Sequence, residues 1–223
     1  MEDDVFDSGG YRMINKLRLD HLESLGLDLA RKEVLELGPG VGDLTKFFLN
    51  KGSEVMCVEG REENVGELIR RNYSVVQYDL DDGLPTDDTF DIVFAFGILY
   101  HLQRPAQALE AWAEACDELL LIELCVTPGD ELEVNWCEET IEDVRSSING
   151  VGCRPTRAWV FNQLQQLFTY VYVPTTRPPH EEFPADWNNI TTKGLTRAFF
   201  VASRNRLDNP LLAPELLMQQ ETL

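Results

Sequence analysis

The sequence predicts an α/β protein in which a mostly parallel, doubly wound sheet is covered by helices on both faces. Short apolar runs rich in β-branched residues alternate with segments of helical apolar spacing, from residue 32 to residue 126. Single helices between successive strands require right-handed crossovers, which produce parallel strand pairs. With 223 residues, 43% of them hydrophobic, the chain is long enough to bury a substantial core.

Each element has its own local signal. Apolar residues at helical spacing over residues 11–27 predict a helix before the first strand. Gly52 is placed to end one helix, and Pro105 is placed in the first turn of another. The predicted strands cover residues 32–38, 54–60, 74–80, 90–97, 118–126, 169–174 and 195–204, and the later helices cover residues 43–52, 62–72, 105–116 and 157–168.

Two long excursions interrupt this alternation. Residues 127–156 are predicted to be irregular or partly helical, and residues 175–194 form a second, proline-rich excursion. Excursions near the carboxyl ends of strands often form substrate walls, although plain surface loops are the alternative. The tail over residues 209–223 is too apolar to be free, so we expect it to pack on the body or on a second subunit.

The composition excludes several classes of function. The formal net charge is −20, from 39 acids against 19 bases, and it disfavours nucleic acid as a partner. The acidic surface keeps the protein soluble, or alternatively it is a docking surface for a basic partner. No apolar run approaches the roughly 20 residues that cross a bilayer, and the acidic N-terminus does not resemble a signal peptide, so we expect a cytoplasmic protein without a membrane partner. Five cysteines without a C-x-x-C pair predict neither disulfides nor a metal site.

Three glycines alternate directly after the first predicted strand, at Gly38, Gly40 and Gly42. A strand, a glycine turn and a helix place backbone N–H groups over the carboxyl edge of the sheet, where cofactors bind. The spacing is G-x-G-x-G, whereas dinucleotide sites use G-x-G-x-x-G. Glu36 precedes the turn and Asp43 follows it, which favours a ligand with positive charge over a pyrophosphate. S-adenosylmethionine, with its ammonium and sulfonium groups, is such a ligand.

Acids at the ends of the next two strands predict an adenosine site. Glu59 ends the second strand, where a carboxylate can accept hydrogen bonds from both ribose hydroxyls; an exposed acid is the alternative. Asp79 ends the third strand, where its carboxylate can accept from the adenine amino group and the N–H of Leu80 can meet a ring nitrogen. Asp81 and Asp82 are alternatives to Asp79, or all these acids are solvated.

The segments "VLELGPGVGDLTKFF", "VMCVEG", "VVQYDLDDGLP" and "FDIVFAFGILYHL" resemble the successive motifs of class I S-adenosylmethionine-dependent methyltransferases. The resemblance covers roughly residues 30–126, and "GILYHLQRPAQAL" is similar to small-molecule methyltransferases and to the tRNA wobble-uridine carboxymethyltransferase group. It implies a Rossmann-like, seven-stranded sheet of order 3-2-1-4-5-7-6 with an antiparallel last strand. The cofactor-binding residues that we predict are Glu36, Gly38, Gly40, Gly42, Glu59, Gly60, Asp79, Leu80, Phe96 and Gly97, the last two beside the sulfonium.

Methyl transfer is an in-line displacement that needs alignment, exclusion of water and, for a hydroxyl acceptor, a base. Tyr100 and His101 follow the fourth strand, and a neutral imidazole can accept a hydroxyl proton; the alternative is that His101 only orients the loop. His180 is a further catalytic candidate. Cys125 ends the fifth strand, where a small buried side chain is a simpler interpretation than a nucleophile.

The acceptor is expected to lie against the two excursions. "FAFGILYH" lacks the Asn/Asp-Pro-Pro-aromatic motif of enzymes that methylate nucleobase amines, and it lacks the Asp ligand of metal-assisted catechol-type enzymes. Arginines can bind a carboxylate or phosphate and tryptophans can stack on a ring, while salt bridges and core packing are the alternatives. The predicted acceptor-binding residues are Asn149, Arg154, Arg157, Trp159 and Trp187.

These features together predict an enzyme that methylates a small-molecule acceptor, at a hydroxyl of a sugar or secondary metabolite. The alternatives are an RNA or protein methyltransferase and a non-catalytic scaffold that binds the cofactor. We expect a monomer or homodimer. The chain is expected to form one domain over residues 1–223, with an N-terminal helix (11–27), a cofactor-binding half (30–126), substrate-side insertions and last strands (127–203) and a C-terminal tail (204–223).

Overall fold

A computed structural model describes residues 9–223 of the chain. Strands and helices alternate through residue 126, as the sequence predicts, except that no α-helix separates the strands at 74–77 and 90–96; strands dominate the remainder. In chain order the helices and strands are α1 (Gly9–Ser24), β1 (Glu33–Leu37), α2 (Thr45–Leu49), β2 (Glu54–Glu59), α3 (Glu62–Arg70), β3 (Ser74–Gln77), β4 (Phe90–Phe96), α4 (Pro105–Glu114), β5 (Cys116–Val126), β6 (Val134–Glu138), β7 (Val151–Pro155), α5 (Arg157–Leu167), β8 (Tyr170–Pro174), β9 (Thr176–Arg177), β10 (Thr196–Ser203), β11 (Leu212–Ala213) and β12 (Glu221–Thr222).

The central sheet has the strand order β3-β2-β1-β4-β5-β10-β8-β11. Its first five strands are parallel, whereas β10 runs antiparallel to both of its neighbours, β5 and β8. With β8 and β10 as the sixth and seventh strands, the predicted order and the antiparallel last strand are confirmed. The predicted number of strands was one too few, because β11 extends the edge beyond β8. A two-residue strand carries too little periodicity to be recognised in a sequence.

Apolar side chains cover both faces of this sheet. One buried cluster includes Trp112 from α4 and Ile122 from β5, and the other includes Leu22 from α1, Phe48 from α2 and Phe94 from β4. Because both faces are covered, the central strands are continuous apolar runs rather than alternating ones. This double burial makes the sheet a fixed platform for the residues at the carboxyl ends of its strands.

The segment 127–156 corrects one prediction, because it contains an antiparallel hairpin of β6 and β7 instead of irregular or helical structure. The burial of β6 does not alternate along the strand, and Trp136 is 56% exposed, so the periodicity of two that identifies a half-buried strand is missing. The hairpin packs beside the end of β4: the Cys153 thiol donates to the Leu99 carbonyl over 3.5 Å.

The C-terminal tail packs on the body of the protein. β11 pairs with β8, and β12 runs parallel to β9. The division of the chain into one domain with an N-terminal helix, a cofactor half and a substrate half stays a prediction. Within residues 9–223, no helix combines the length and the apolar character needed to cross a membrane.

Candidate active site

A cavity opens where β1, β2 and β4 end, between the sheet, α1 and the loop at residues 144–149. Carboxyl ends of parallel strands are the usual ligand site of such sheets. The fold therefore brings most of the predicted site residues to one place. Those that line the cavity are Glu36, Gly38, Gly40, Glu59, Gly60, Asp79, Leu80, Phe96, Gly97, Tyr100, His101 and Asn149.

The glycine turn after β1 needs its glycines for two different reasons. Gly38 has a φ of +62°, and a Cβ there would lie 2.7 Å from the Cδ1 atom of Ile98. Gly42 has a φ of +81°, and a Cβ there would lie 2.6 Å from the ring of Tyr73 and 2.7 Å from Leu68. Gly38 therefore allows close packing beside the cavity. Gly42, predicted to bind the cofactor, lies outside the cavity lining and allows the turn to pack against α3 and the residues that follow it.

Glu36 is a buried carboxyl group without a cationic partner. Its side chain is 1% exposed, and none of the ion pairs among residues 9–223 includes it. Its Oε2 atom lies 4.0 Å from the Cys57 thiol. Burial raises the pKa of Glu36 to about 7. A positively charged ligand group in the cavity would favour the ionised form, so this acid fits the ammonium of S-adenosylmethionine.

Ligand binding at Glu36 should therefore release a proton. At about pH 6 the carboxyl is mainly protonated in the free protein, and S-adenosylhomocysteine (SAH), which carries the same ammonium, should release close to one proton on binding. Calorimetric titration of SAH in two buffers of different ionisation enthalpy measures this number. Glu36→Gln should remove the release, and an equal release from the parent and the variant would contradict the assignment.

The same raised pKa has a consequence for stability in the absence of ligand. Between the ordinary value of 4.5 and about 7, the folded protein holds the Glu36 proton and the unfolded chain does not. The free energy of unfolding contributed by this group therefore falls as the pH rises through that window.

Glu59 ends β2 with its carboxylate held by the backbone. Oε2 accepts from the N–H of Gly40 at 3.0 Å, and Oε1 accepts from the N–H of Arg61 at 2.9 Å. Asn64 Nδ2 lies 3.4 Å from Oε1. Burial raises the pKa of Glu59, although these hydrogen bonds oppose the shift. Both oxygens are thus fixed at the cavity wall.

The acids after β3 have separate roles. Asp79 Oδ1 accepts from the N–H of Asp81 at 3.0 Å and caps a short 3-10 helix at Leu80–Asp82. Asp81 Oδ1 accepts from the N–H groups of Gln103 and Arg104 at 2.8 and 2.9 Å, so it holds the start of α4. Because Asp81 is engaged in this way, the geometry favours Asp79 as the partner of an adenine amino group.

Asn149, predicted to bind the acceptor, lies at this same end of the cavity. Its Nδ2 atom donates to Asp79 Oδ2 at 3.2 Å and reaches Asp81 Oδ2 at 3.4 Å. The Asn149 side chain thus faces the predicted adenosine position and does not contact His101.

A network of buried charges borders the cavity at Gly97. Glu123 on β5 is fully buried and forms ion pairs with Arg18 from α1 and with Arg197 from β10, the latter at 3.0 Å. The carbonyl of Glu123 also accepts from the N–H of Gly97 at 2.8 Å. Both arginines line the cavity. Sequence reasoning missed all three residues, although an acid inside the apolar run "ELLLIELCV" signals that buried partners must exist.

His101 and Tyr100 follow β4 in a short 3-10 helix at Leu99–His101. His101 Nδ1 lies 2.5 Å from Oε2 of Glu139, which stands in the loop after β6. Burial lowers the pKa of His101 below its ordinary value, although the carboxylate opposes the shift. Burial raises the pKa of the Tyr100 phenol far above its ordinary value. At neutral pH the site therefore contains an uncharged imidazole and an uncharged phenol, and only the imidazole can accept a proton readily.

A family model described as a methyltransferase domain matches residues 11–147, which is more than half of the chain. The chain belongs to this methyltransferase family. The predicted membership of the class I S-adenosylmethionine-dependent methyltransferases is therefore confirmed. No curated protein sequence matches the chain.

Solved structures with the same fold include several methyltransferases. The N-terminal domain of EvdMO1, in the presence of SAH and D-fucose, is 21% identical with a TM-score of 0.64, over 85% of this chain and 81% of that one. Magnesium protoporphyrin IX methyltransferase from Synechocystis PCC 6803 with bound S-adenosylmethionine is 15% identical with a TM-score of 0.58, over 88% and 80%. An S-adenosylmethionine-dependent methyltransferase from Mesorhizobium loti is 15% identical with a TM-score of 0.59, over 84% and 98%.

Several residues predicted to bind the acceptor lie outside the cavity of this methyltransferase. Arg157 stacks on Trp187, with its Cζ atom 3.8 Å from the ring centroid, and donates to the Leu217 carbonyl at 3.0 Å. Trp187 Nε1 donates to Gln220 Oε1 at 3.0 Å. Both residues therefore fasten the C-terminal tail. Trp159, which lies within α5, packs against the core.

His180 and Arg154 are the remaining predicted residues outside the cavity lining. His180 lies in the proline-rich excursion, where its Nδ1 atom accepts from the N–H of Glu182 at 3.3 Å. Arg154 donates to the carbonyl of Tyr100 at 3.0 Å and to Oε1 of Glu139 at 2.9 Å, so it lies directly behind the Tyr100–His101 pair. Arg154 thus supports the site without facing the cavity.

Proposed function

We propose that this methyltransferase transfers a methyl group from S-adenosylmethionine to a hydroxyl of a small molecule, such as a sugar or a secondary metabolite. The observation that carries the proposal is His101, an uncharged imidazole beside the cavity whose Nδ1 atom is held by Glu139. A hydroxyl acceptor must lose a proton during transfer, and a positioned imidazole is the usual group that takes it. An amine acceptor that is neutral at the working pH needs no such base.

The cofactor would lie along a row of three acids. Glu36 fits the ammonium, Glu59 fits the two ribose hydroxyls and Asp79 fits the adenine amino group. Each of these ligand groups is a hydrogen-bond donor, and a carboxylate is the acceptor that binds donors most strongly. The spacing of the acids at the ends of β1, β2 and β3 supports one extended ligand across the three strands.

The methionine end of the cofactor would lie beside Gly97. We assign its carboxylate to Arg18, whose guanidinium is buried in the cavity wall next to Asn15. Asn15 accepts from Arg18 Nη1 at 2.9 Å through Oδ1. Its Nδ2 atom is also buried, and it would provide a second contact to a carboxylate.

When bound, S-adenosylmethionine would supply an activated methyl carbon that the acceptor oxygen attacks, with the sulfur leaving as a neutral thioether. His101 Nε2 would take the proton of the acceptor hydroxyl. The imidazolium that forms lies against the Glu139 carboxylate, which stabilises its charge. Residues of α1 and of the 144–149 loop form walls of the same cavity.

Two observations support a small, uncharged acceptor over RNA. The net charge of −20 repels a phosphate backbone, and the EvdMO1 domain with the same fold was solved with D-fucose. The cavity is bordered by α1, the loop between β6 and β7, and β10. A cytoplasmic location and a monomeric or dimeric state stay predictions.

The test is to offer S-adenosylmethionine with an isotopically labelled methyl group to three separate acceptor pools. These are small metabolites that include deoxysugars, total RNA, and protein. We expect the label in the small-molecule pool, as an O-methyl signal in the carbon–proton correlation spectrum of the product. Label in RNA or protein, or an N-methyl signal, would refute the proposal. The matched control is the Glu36→Gln variant, which should label every pool less.

A further inference from the structure

The carboxylate of Glu139 is held in one orientation by three donors. It follows β6 and its side chain is 6% exposed. Oε2 accepts from His101 Nδ1 at 2.5 Å and from the N–H of Ser147 at 2.7 Å, and Oε1 accepts from Arg154 Nη2 at 2.9 Å. A carboxylate fixed on both oxygens cannot rotate away from the imidazole that it contacts.

We propose that Glu139 is the positioning residue of the methyl-transfer site: it holds His101 with the proton on Nδ1, so that Nε2 keeps its lone pair for the proton of the acceptor. This inference rests on the proposed function, in which His101 accepts that proton. Glu139 acts through His101 and does not itself contact the acceptor.

The other charged groups near His101 cannot perform this role. Arg154 on β7 and Arg197 on β10 are cations without acceptor atoms, and both lower the pKa of the imidazole. The Tyr100 ring lies beside the imidazole, with centroids 4.1 Å apart. Among these neighbours, Glu139 is the one that can accept a hydrogen bond from the Nδ1–H group at neutral pH.

Glu139 itself remains ionised. Burial alone would raise its pKa, but the contacts from His101, Ser147 and Arg154 outweigh burial and lower the pKa to about 2. The pair at neutral pH therefore consists of a carboxylate and an uncharged imidazole. When the imidazole gains a proton, the carboxylate is already in contact with the new charge.

The loop that carries Glu139 is also fastened to the adenosine end of the cavity. Arg61 lies two residues after Glu59, the predicted partner of the ribose. Its Nη2 atom donates to the carbonyls of Ser146 and Ser147 at 3.1 and 3.0 Å. The N–H of Ser147 is one of the three donors to Glu139. One loop thus connects the cofactor end of the cavity to the carboxylate that orients His101. The position of Glu139 is therefore set by the protein itself and does not depend on a bound acceptor.

The test is ¹⁵N NMR of protein labelled at its histidines, with SAH added. The chain has three histidines, so His101→Ala assigns the signals of His101. In the parent we expect an uncharged His101 with the proton on Nδ1. Glu139→Ala should lose this tautomer preference and lower the pKa of His101, because both the hydrogen-bond acceptor and the stabilising anion are gone. Glu138→Ala removes an exposed charge from the adjacent residue and should change neither measurement.

The outcomes separate this inference from the proposed function. A parent protein whose His101 carries the proton on Nε2 overturns the inference, whatever the variants do. An unchanged tautomer and pKa in Glu139→Ala, with SAH still bound, overturns it as well and leaves methyl transfer intact. Failure of the proposed function would instead appear as the absence of label in small molecules, and the tautomer of His101 is measurable without any acceptor.

Discussion

Replacing His101 with alanine is expected to lower the maximal rate of methyl transfer by roughly 10²–10⁴-fold, the usual contribution of a positioned proton acceptor. The affinity for SAH should change little, because the acids at the ends of β1, β2 and β3 hold the predicted cofactor contacts. The rate is measured at saturating S-adenosylmethionine with an acceptor found in the labelling experiment. His180→Ala is the control, since His180 lies outside the cavity lining and should retain the parent rate.

The pH profile gives a second readout of the same variant. The parent rate should fall as the pH drops through the pKa of His101, which lies below 6.5, because the protonated imidazole cannot accept a proton. His101→Ala should lose this limb of the profile. A variant that retains more than about a third of the parent rate with an unchanged profile would show that His101 is not the base. It would point to an acceptor that needs only alignment.

Replacing Glu59 with alanine should weaken SAH binding by roughly 100-fold or more. Two charge-assisted hydrogen bonds to the ribose are lost, each worth about 1.5–3 kcal/mol as an upper guide. The variant also loses the contacts that Glu59 makes to the N–H groups of Gly40 and Arg61, which hold the glycine turn. Calorimetric titration with SAH measures the effect.

Two further variants make this result specific. Glu59→Gln should retain part of the affinity, because its amide oxygen still accepts a hydrogen bond. Glu63→Ala removes an exposed acid from the first turn of α3 and should bind SAH like the parent. If Glu59→Ala also binds like the parent, the ribose lies elsewhere and the assignment of the cavity is wrong.

The sequence predicts the sheet well because its signals are local. Each central strand is a short apolar run with a turn after it, and crossovers of one helix leave few topologies to choose from. The hairpin of β6 and β7 was missed because the burial of β6 does not alternate along the strand and Trp136 is exposed. Its stability comes from packing against residues 99–101, a long-range contact that no local pattern contains.

The candidate site divides in the same way. Glu36, Glu59 and Asp79 each stand at the end of a strand, so their convergence on one cavity follows from the topology. Arg18, Arg197 and Glu139 come from α1, β10 and the hairpin loop, and only the folded chain brings them beside Gly97 and His101. The prediction that the second excursion binds the acceptor is less well supported, because Trp187 contacts the C-terminal tail and not the cavity.

A structure of the protein with bound SAH tests the central claim most directly. We predict the ribose hydroxyls on the Glu59 carboxylate, the adenine amino group at Asp79, and the sulfur beside Gly97 on the side of His101. The nitrogen of His101 that faces the sulfur should be Nε2, with Nδ1 still on Glu139. Adenosine bound away from Glu59 and Asp79, or a sulfur remote from His101, would contradict the account.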